Sequence, residues 1–344
     1  MAHRAAVVGG SGYTGAELLR LLAEHPEIEV VAATADANAG VHVGSLYPSL
    51  RPAYPDLEYA TMHPGVVDGL DLAFLALPHG ESQRFVPDIL DRVAHIVDLG
   101  ADFRLPALVY AEWYGEDHTE PALLDQFAYG IPELFRDDIT SNAHVAAAGC
   151  YATAAALALA PLVEAGLIEP TGLIVDALSG VSGRGRGLSA PSLFSEADES
   201  ATAYGLLDHR HTGEMEHALT QWTGQEAQVL FTPHLVPMVR GILATCHARP
   251  ARAGLSTELV MAAYDAYADE PFIVVSDEPP VTKAATGSNA VHLTARYDER
   301  TDSVLAIAAL DNLVKGAAGQ MVQCANLLLG LPEPTGLRAI GLMP

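Results

Sequence analysis

Cys150 stands just ahead of an alanine- and leucine-rich run, Ala154 to Val163, whose composition predicts a helix. Gly149 and Cys150 then fall at the helix N-terminus, where unpaired backbone N–H groups and the positive end of the dipole favour a thiolate over a thiol. The same N–H groups suit the oxyanion formed when a carbonyl is attacked. A small buried cysteine at a helix start is the alternative. The second reactive segment is Asp208-His209-Arg210-His211-Thr212-Gly213-Glu214. Two histidines flanking an arginine suggest recognition of an anionic substrate together with proton transfer. Zinc on His209 and His211 lacks a third ligand, since Cys246 and Cys324 sit in apolar runs and His217 lies further along a helix, so no metal is expected. Histidines that only cap the helix starting near Thr212 are the structural alternative.

Gly9-Gly10-Ser11-Gly12-Tyr13-Thr14-Gly15 follows an apolar strand, Arg4 to Val8, and precedes a helix predicted over Ala16 to Glu24 and a second strand over Ile28 to Thr34. Gly10-x-Gly12-x-x-Gly15 and the overlapping Gly9-x-x-Gly12-x-x-Gly15 let backbone without Cβ approach a pyrophosphate, which the helix N-terminus neutralises. Cofactor binding is therefore expected at Gly9, Ser11, Gly12, Tyr13, Thr14 and Gly15. Asp36, about twenty residues beyond Gly15, either bonds a ribose 2′-hydroxyl and disfavours a 2′-phosphate or is a solvated loop residue. Gly100-Ala101-Asp102-Phe103-Arg104 ends a predicted parallel strand at the edge where such sheets bind ligands. Arg104 is a candidate clamp for a carboxylate or phosphate, with an Asp102–Arg104 surface contact as the alternative. Ser179-Gly180-Val181-Ser182-Gly183-Arg184-Gly185-Arg186 offers amides, hydroxyls and guanidinium groups to a phosphate, or is a flexible linker.

Positioning these groups takes two domains. With further buried strands at Leu72–Leu77 and His95–Leu99, residues 1–149 read as a Rossmann-type, doubly wound parallel sheet, so the fold class is α/β. Beyond that, Leu173–Leu178, Ala227–Thr232, Gly241–Ala248, Val291–Tyr297 and Ser303–Leu310 read as strands of a mainly antiparallel sheet with one covered face, an α+β domain over 150–313. An apolar helix over 314–330 is expected to return to the first domain, which 314–344 completes. Gly180 to Ser200 is predicted as a loop over a site.

The chain has 344 residues, half of them hydrophobic, with 43 acidic against 18 basic side chains and a net charge of −25. Such a surface repels nucleic acid and anionic lipid, and neither is an expected partner. Lys283 and Lys315 are the only lysines, and acid excess with lysine depletion matches adaptation to high salt. It also makes local clusters of Arg and His informative. The three cysteines form no CxxC pair, Met1-Ala2-His3-Arg4 leads straight into a strand without a signal-peptide pattern, and Pro161 and Glu164 break the longest apolar run. A reducing cytoplasm is the expected location.

These segments resemble the N-acetyl-gamma-glutamyl-phosphate reductases, the arginine-biosynthesis branch of the semialdehyde dehydrogenases. The resemblance runs through Gly9 to Gly15, Ala76-Leu77-Pro78-His79-Gly80, Ala101 to Arg104, Tyr129-Gly130-Ile131-Pro132-Glu133-Leu134 and Gly149-Cys150-Tyr151. It continues with Ser179 to Gly183, His209 to Thr212, Arg240-Gly241-Ile242-Leu243, Gly287-Ser288-Asn289 and Asp311-Asn312-Leu313-Val314-Lys315-Gly316. It implies Cys150 as nucleophile, His211 as general acid/base, and His209 and Arg104, with Ser179 and Ser182, as substrate contacts. It implies NADP on the glycine turn, Gly180 and Asn312, with NAD not excluded, and a homo-oligomeric assembly, dimer or tetramer. The implied reaction reduces the acyl phosphate through a Cys150 thioester. Three departures from the pattern stand out: in the nucleophile's turn Ala147-Ala148 and Ala152 stand where the family often has proline, Leu178 replaces a frequent lysine, and Ala35-Asp36 replaces a serine or arginine, which weakens the case for NADP. Competing readings are the same chemistry on aspartyl phosphate or on a carrier-linked glutamyl or aminoadipyl phosphate, a Cys–His hydrolase, and a non-catalytic dinucleotide sensor.

Overall fold

The computed structural model describes the residues from Ala2 to Met343. They fall into two compact units, Met1–Ala148 with Ala317–Leu337, and Gly149–Gly316 with Arg338–Pro344.

The first unit is built on seven strands: β1 (His3–Val8), β2 (Ile28–Ala35), β3 (Tyr59–Thr61), β4 (Leu70–Leu75), β5 (Val93–Asp98), β6 (Phe127–Gly130) and β7 (His144–Ala147). They lie in the order β3-β2-β1-β4-β5-β7-β6 and every pairing is parallel. Both faces of the central strands are covered, so Ala5–Val8 and Leu72–Leu75 are apolar throughout and fully buried. Strand order reverses between β1 and β4, which opens a crevice outside their carboxyl ends. The glycine turn leaves β1, Ala76–Gly80 leaves β4 and Gly100–Arg104 leaves β5, so three segments named in the sequence share one sheet edge. The helix after the turn is Tyr13–Leu22, starting earlier than its apolar pattern suggests because Gly12 is itself the N-cap.

The second unit carries β8 (Leu173–Ser179), β9 (Thr202–Ala203), β10 (Val229–Leu235), β11 (Ile242–Ala248), β12 (Ile273–Val275), β13 (Val291–Asp298) and β14 (Ser303–Leu310). Their order is β12-β13-β14-β11-β8-β10-β9, with β8/β10 and β12/β13 parallel and the other four pairings antiparallel. Alternation along β8 buries Leu173, Val175 and Ala177 and leaves Ile174 and Leu178 exposed. Helix Cys150–Glu164 belongs to this unit, and all its residues from Tyr151 to Val163 are buried. Pro161 inside it has no N–H to give the Leu157 carbonyl one turn earlier. The Tyr267 hydroxyl donates to that carbonyl at 3.1 Å, and Tyr264 donates to Ala158 at 2.7 Å.

Two features differ from the sequence reading. Residues Val314–Ala318 form a π-helical turn, and the α-helix is Gly319–Leu328. The stretch after Leu337 lies with the second unit, where the Asn289 N–H donates to Arg338 O and the Leu342 N–H to Thr286 O, both at 2.8 Å. The apolar run thus straddles a boundary that hydrophobicity alone does not mark. No helix among the described residues is long and apolar enough to cross a membrane.

Candidate active site

In the first unit the glycine turn is a cradle that side chains would fill. Gly9 has φ +84°, and a Cβ there would collide with the Ala76 carbonyl. A Cβ on Gly15 would lie 2.5 Å from Gly10 Cα and 2.6 Å from Gly9 O. The Gly10 N–H donates to Thr34 O at 2.8 Å, anchoring the turn to the end of β2. Tyr59 donates to the Gly10 carbonyl at 3.2 Å and Tyr47 to the Ser11 carbonyl at 2.9 Å. With those acceptors occupied and no acidic residue in the first turn of helix Tyr13–Leu22, the turn presents donors to an anion. Gly9, Ser11, Gly12, Tyr13, Thr14 and Gly15 therefore fit a dinucleotide pyrophosphate. Asp36 is exposed just past the end of β2.

At the end of β5 the carboxylates are structural anchors. Asp102 is fully buried and accepts the Gly80 N–H at 2.9 Å and the Gln83 N–H at 3.0 Å, so it pins the loop leaving β4. Asp98 accepts Ser82 Oγ at 2.8 Å and the Gly100 N–H at 2.7 Å. Burial pushes the Asp98 carboxyl up to about 7. Arg104 is buried rather than a surface partner of Asp102, and its guanidinium donates to the Leu99 carbonyl at 2.6 Å.

In the second unit Cys150 is the first residue of its helix and Gly149 is the cap. The Gly149 N–H donates to Glu214 Oε1 at 2.7 Å. Glu214 is almost fully buried on helix His211–Thr223, and its Oε2 lies 4.0 Å from His211 Nε2. The ring of the next residue, Tyr151, is flanked edge-on by His209 (5.7 Å between centroids), His211 (5.8 Å) and Phe231 (5.1 Å). The Tyr151 and Tyr204 hydroxyls are 3.0 Å apart. Cys150, His209 and His211 thus occupy one neighbourhood although about sixty residues separate them.

The histidines differ. Burial, then the charges of His211 and Arg210, push His209 down to about 3. Its Nδ1 accepts the His211 N–H at 3.1 Å, so the neutral ring carries its proton on Nε2. His209 is therefore a hydrogen-bond donor at neutral pH.

Ser182, Gly180 and Asn312 form a second knot. Asn312 accepts the Gly241 N–H at 2.8 Å and donates to Ser182 Oγ at 3.0 Å. A Cβ on Gly180 would lie 2.8 Å from Arg240 N, so only glycine lets these loops meet. Gly183 joins the knots, since its Cβ would lie 3.0 Å from Ser179 Oγ and 3.7 Å from Asn312 Nδ2. Arg184 stands over the Tyr204 ring at 5.4 Å. No element between Gly180 and Ser200 exceeds four residues, as a loop requires.

Two members of the site lie in segments that the sequence singles out but make contacts that it does not announce. Glu214 is one acidic residue among 43, and only its place one helical turn after His211 hints at it. Gly316 sits in the π-helical turn, where a Cβ would lie 2.6 Å from Cys150 Cβ. No local pattern announces that contact, because it is tertiary.

Residues 4–142 match the family model described as semialdehyde dehydrogenase, NAD binding domain, and residues 150–312 match the semialdehyde dehydrogenase, dimerisation domain. The N-acetyl-gamma-glutamyl-phosphate reductase of Symbiobacterium thermophilum is 46% identical over 99% of both chains. That of Pseudomonas aeruginosa strain PAO1 is 43% identical over 98% of both. Among solved structures, the aspartate semialdehyde dehydrogenase of Candida albicans with NADP superposes with a TM-score of 0.73 at 18% identity, covering 95% of this chain and 99% of that one. Aspartate semialdehyde dehydrogenase II of Vibrio cholerae gives 0.72 at 18%, over 96% and 99%. At that identity the structural likeness speaks for the fold.

Proposed function

The chain belongs to the N-acetyl-gamma-glutamyl-phosphate reductase branch of the semialdehyde dehydrogenase family, and from it we propose that the protein reduces N-acetyl-gamma-glutamyl phosphate to N-acetylglutamate 5-semialdehyde and phosphate with NADP, in arginine biosynthesis. The observation that carries this reading is the setting of Cys150, first in its helix, with the cap amide held by Glu214 and two histidines against the adjacent tyrosine. The Cys150 thiolate attacks the acyl carbonyl. A carbon–sulfur bond forms, the acyl–phosphate bond breaks, and phosphate leaves behind a thioester. First-turn amides of the helix, which have no acceptor within it, stabilise the oxyanion. The glycine turn, Gly180 and Asn312 would hold the reduced dinucleotide, whose chemistry would be to supply hydride to the thioester carbonyl. The resulting hemithioacetal collapses to the aldehyde and regenerates the thiolate. His211 delivers and removes the proton on the reacting oxygen, and His209 donates its Nε2–H to the substrate. Arg104, Ser179 and Ser182 complete the substrate contacts.

Asp36 bears on the cofactor, because an acidic side chain there favours a ribose 2′-hydroxyl over a 2′-phosphate. The open face of the second sheet bears on assembly. Ile174, Leu178 and Leu230 are exposed on β8 and β10, and a second copy would cover them in a homo-oligomer.

The test is phosphate-dependent reduction of NADP by N-acetylglutamate semialdehyde, run beside NAD and beside Cys150→Ser. Turnover with NADP is expected, falling by about a thousandfold or more in the variant. Activity that persists in Cys150→Ser sinks the covalent route, and faster turnover with NAD reassigns the cofactor.

A further inference from the structure

The outward face of the second sheet is not uniformly apolar. The registers of β8 with β10 and β11 set Thr232 and Thr245 on either side of Asp176, so a polar row crosses the face. The row on one side of it holds Leu230, Ile174 and His247, and the row on the other holds His234, Leu178 and Leu243. Alternation along the strands turns all these side chains outward, while the residues between them are buried. Asp176 is half-buried, and its side chain has no hydrogen-bond or ion-pair partner among the described residues. His247 is exposed and pairs with no acid there, and His234 Nδ1 is buried without a partner. Across these three strands the face therefore carries one acid, two imidazoles and no lysine or arginine. The next charged or titratable groups, His292 and Arg296, stand on β13 beyond β14.

We propose that a second copy of this chain recognises the face through Asp176, whose carboxylate accepts a hydrogen bond from an imidazole of that copy, His234 or His247. The inference rests on the homo-oligomer reading above and adds what fixes the register of the pairing. The family model described as a dimerisation domain spans β8, β10 and β11. A copy laid over this face takes Asp176 out of water, and a covered carboxylate without a partner is strongly unfavourable. Thr232 and Thr245 bring hydroxyls to it but no charge. A two-fold contact is made by the same patch on both copies, so a patch that holds both acid and base satisfies itself twice. The leucines and Ile174 supply apolar area in any register. The acid and the imidazole select one, because an offset leaves Asp176 against apolar side chains.

Sedimentation velocity of the full chain at about 1 M sodium chloride tests the pairing, since a covered contact is screened far less than surface charge. Asp176→Asn keeps the shape and loses the charge, and it should raise the dissociation constant by about tenfold or more. One of His234→Gln and His247→Gln should do the same, which identifies the imidazole. The effect of that histidine variant should shrink to about twofold or less in the Asp176→Asn background, because both changes remove one contact. Matching near-ultraviolet circular dichroism shows that the variants fold. An Asp176→Asn protein that associates as well as the wild type overturns the proposal. One that associates more tightly also overturns it, because the carboxylate would then face its own counterpart. Histidine effects that persist in full in the Asp176→Asn background overturn it too. A wild type that stays monomeric overturns the homo-oligomer reading, and this pairing with it.

Discussion

Glu214 is the residue through which Cys150 and His211, the proposed nucleophile and base, share one frame. One oxygen holds the cap amide of the cysteine helix and the other faces His211, so a single buried side chain sets two positions. Glu214→Gln keeps an acceptor for Gly149, and Glu214→Ala leaves that amide unsatisfied. Unfolding measurements should show Ala destabilised by about 1–3 kcal/mol relative to Gln, while both lose kcat. Equal stability of the two would mean the amide bond contributes nothing. His209 makes a different case. Because burial holds it down to about 3, it stays neutral across the working range and adds no limb to the pH–rate profile. His209→Asn should lower kcat/KM by about ten- to a hundredfold and leave the profile's shape between about pH 5 and 8 unaltered. A limb that disappears in this variant would make His209 the proton carrier and displace His211.

At the level of elements, the π-helical turn Val314–Ala318 comes so close to Cys150 that only glycine fits at 316. Gly316→Ala must push either the turn or Cys150 aside, and kcat should fall by about a hundredfold with a small change in thermal midpoint. Unchanged kcat would show that the turn yields freely. The end of β5 carries a pH dependence of stability. Asp98 is raised from the usual carboxylate range to about 7 by burial, so its contribution is complete below about pH 4 and is lost as pH rises to about 7. Asp98→Asn, which mimics the protonated carboxyl, should flatten that decline in denaturant titrations at about pH 5 and pH 8, by a few kcal/mol at most. Such contacts were partly open to reading in advance. The glycine turn and β1 are legible because glycine spacing and an apolar run are local signals, and Cys150 is legible because its helix is. The three-residue β3 and four-residue β6 and β7 are too short for periodicity to register. Glu214 and Gly316 act through tertiary contacts, and Arg104, read as a cation for substrate, is seen bracing the Leu99 carbonyl.

For the whole molecule, the two dominant facts pull in opposite directions. A net charge of −25 makes copies repel, while Ile174, Leu178 and Leu230 leave an apolar sheet face that a second copy would cover. Repulsion between like-charged bodies is screened over about 3 Å at about 1 M salt, but it reaches well beyond 10 Å as ionic strength falls under about 0.1 M. Apolar burial has no comparable dependence and strengthens modestly with excluded salts. The balance therefore tips with salt. Sedimentation velocity should find the wild type associated at about 1 M sodium chloride, with the dissociation constant rising about tenfold or more toward 0.02 M. Leu230→Glu places a charge on the apolar face beside Ile174 and should leave monomers at both concentrations. A Leu230→Glu protein that still associates would move the interface off this sheet, and a salt-independent wild type would mean that the acidic surface lies away from the contact.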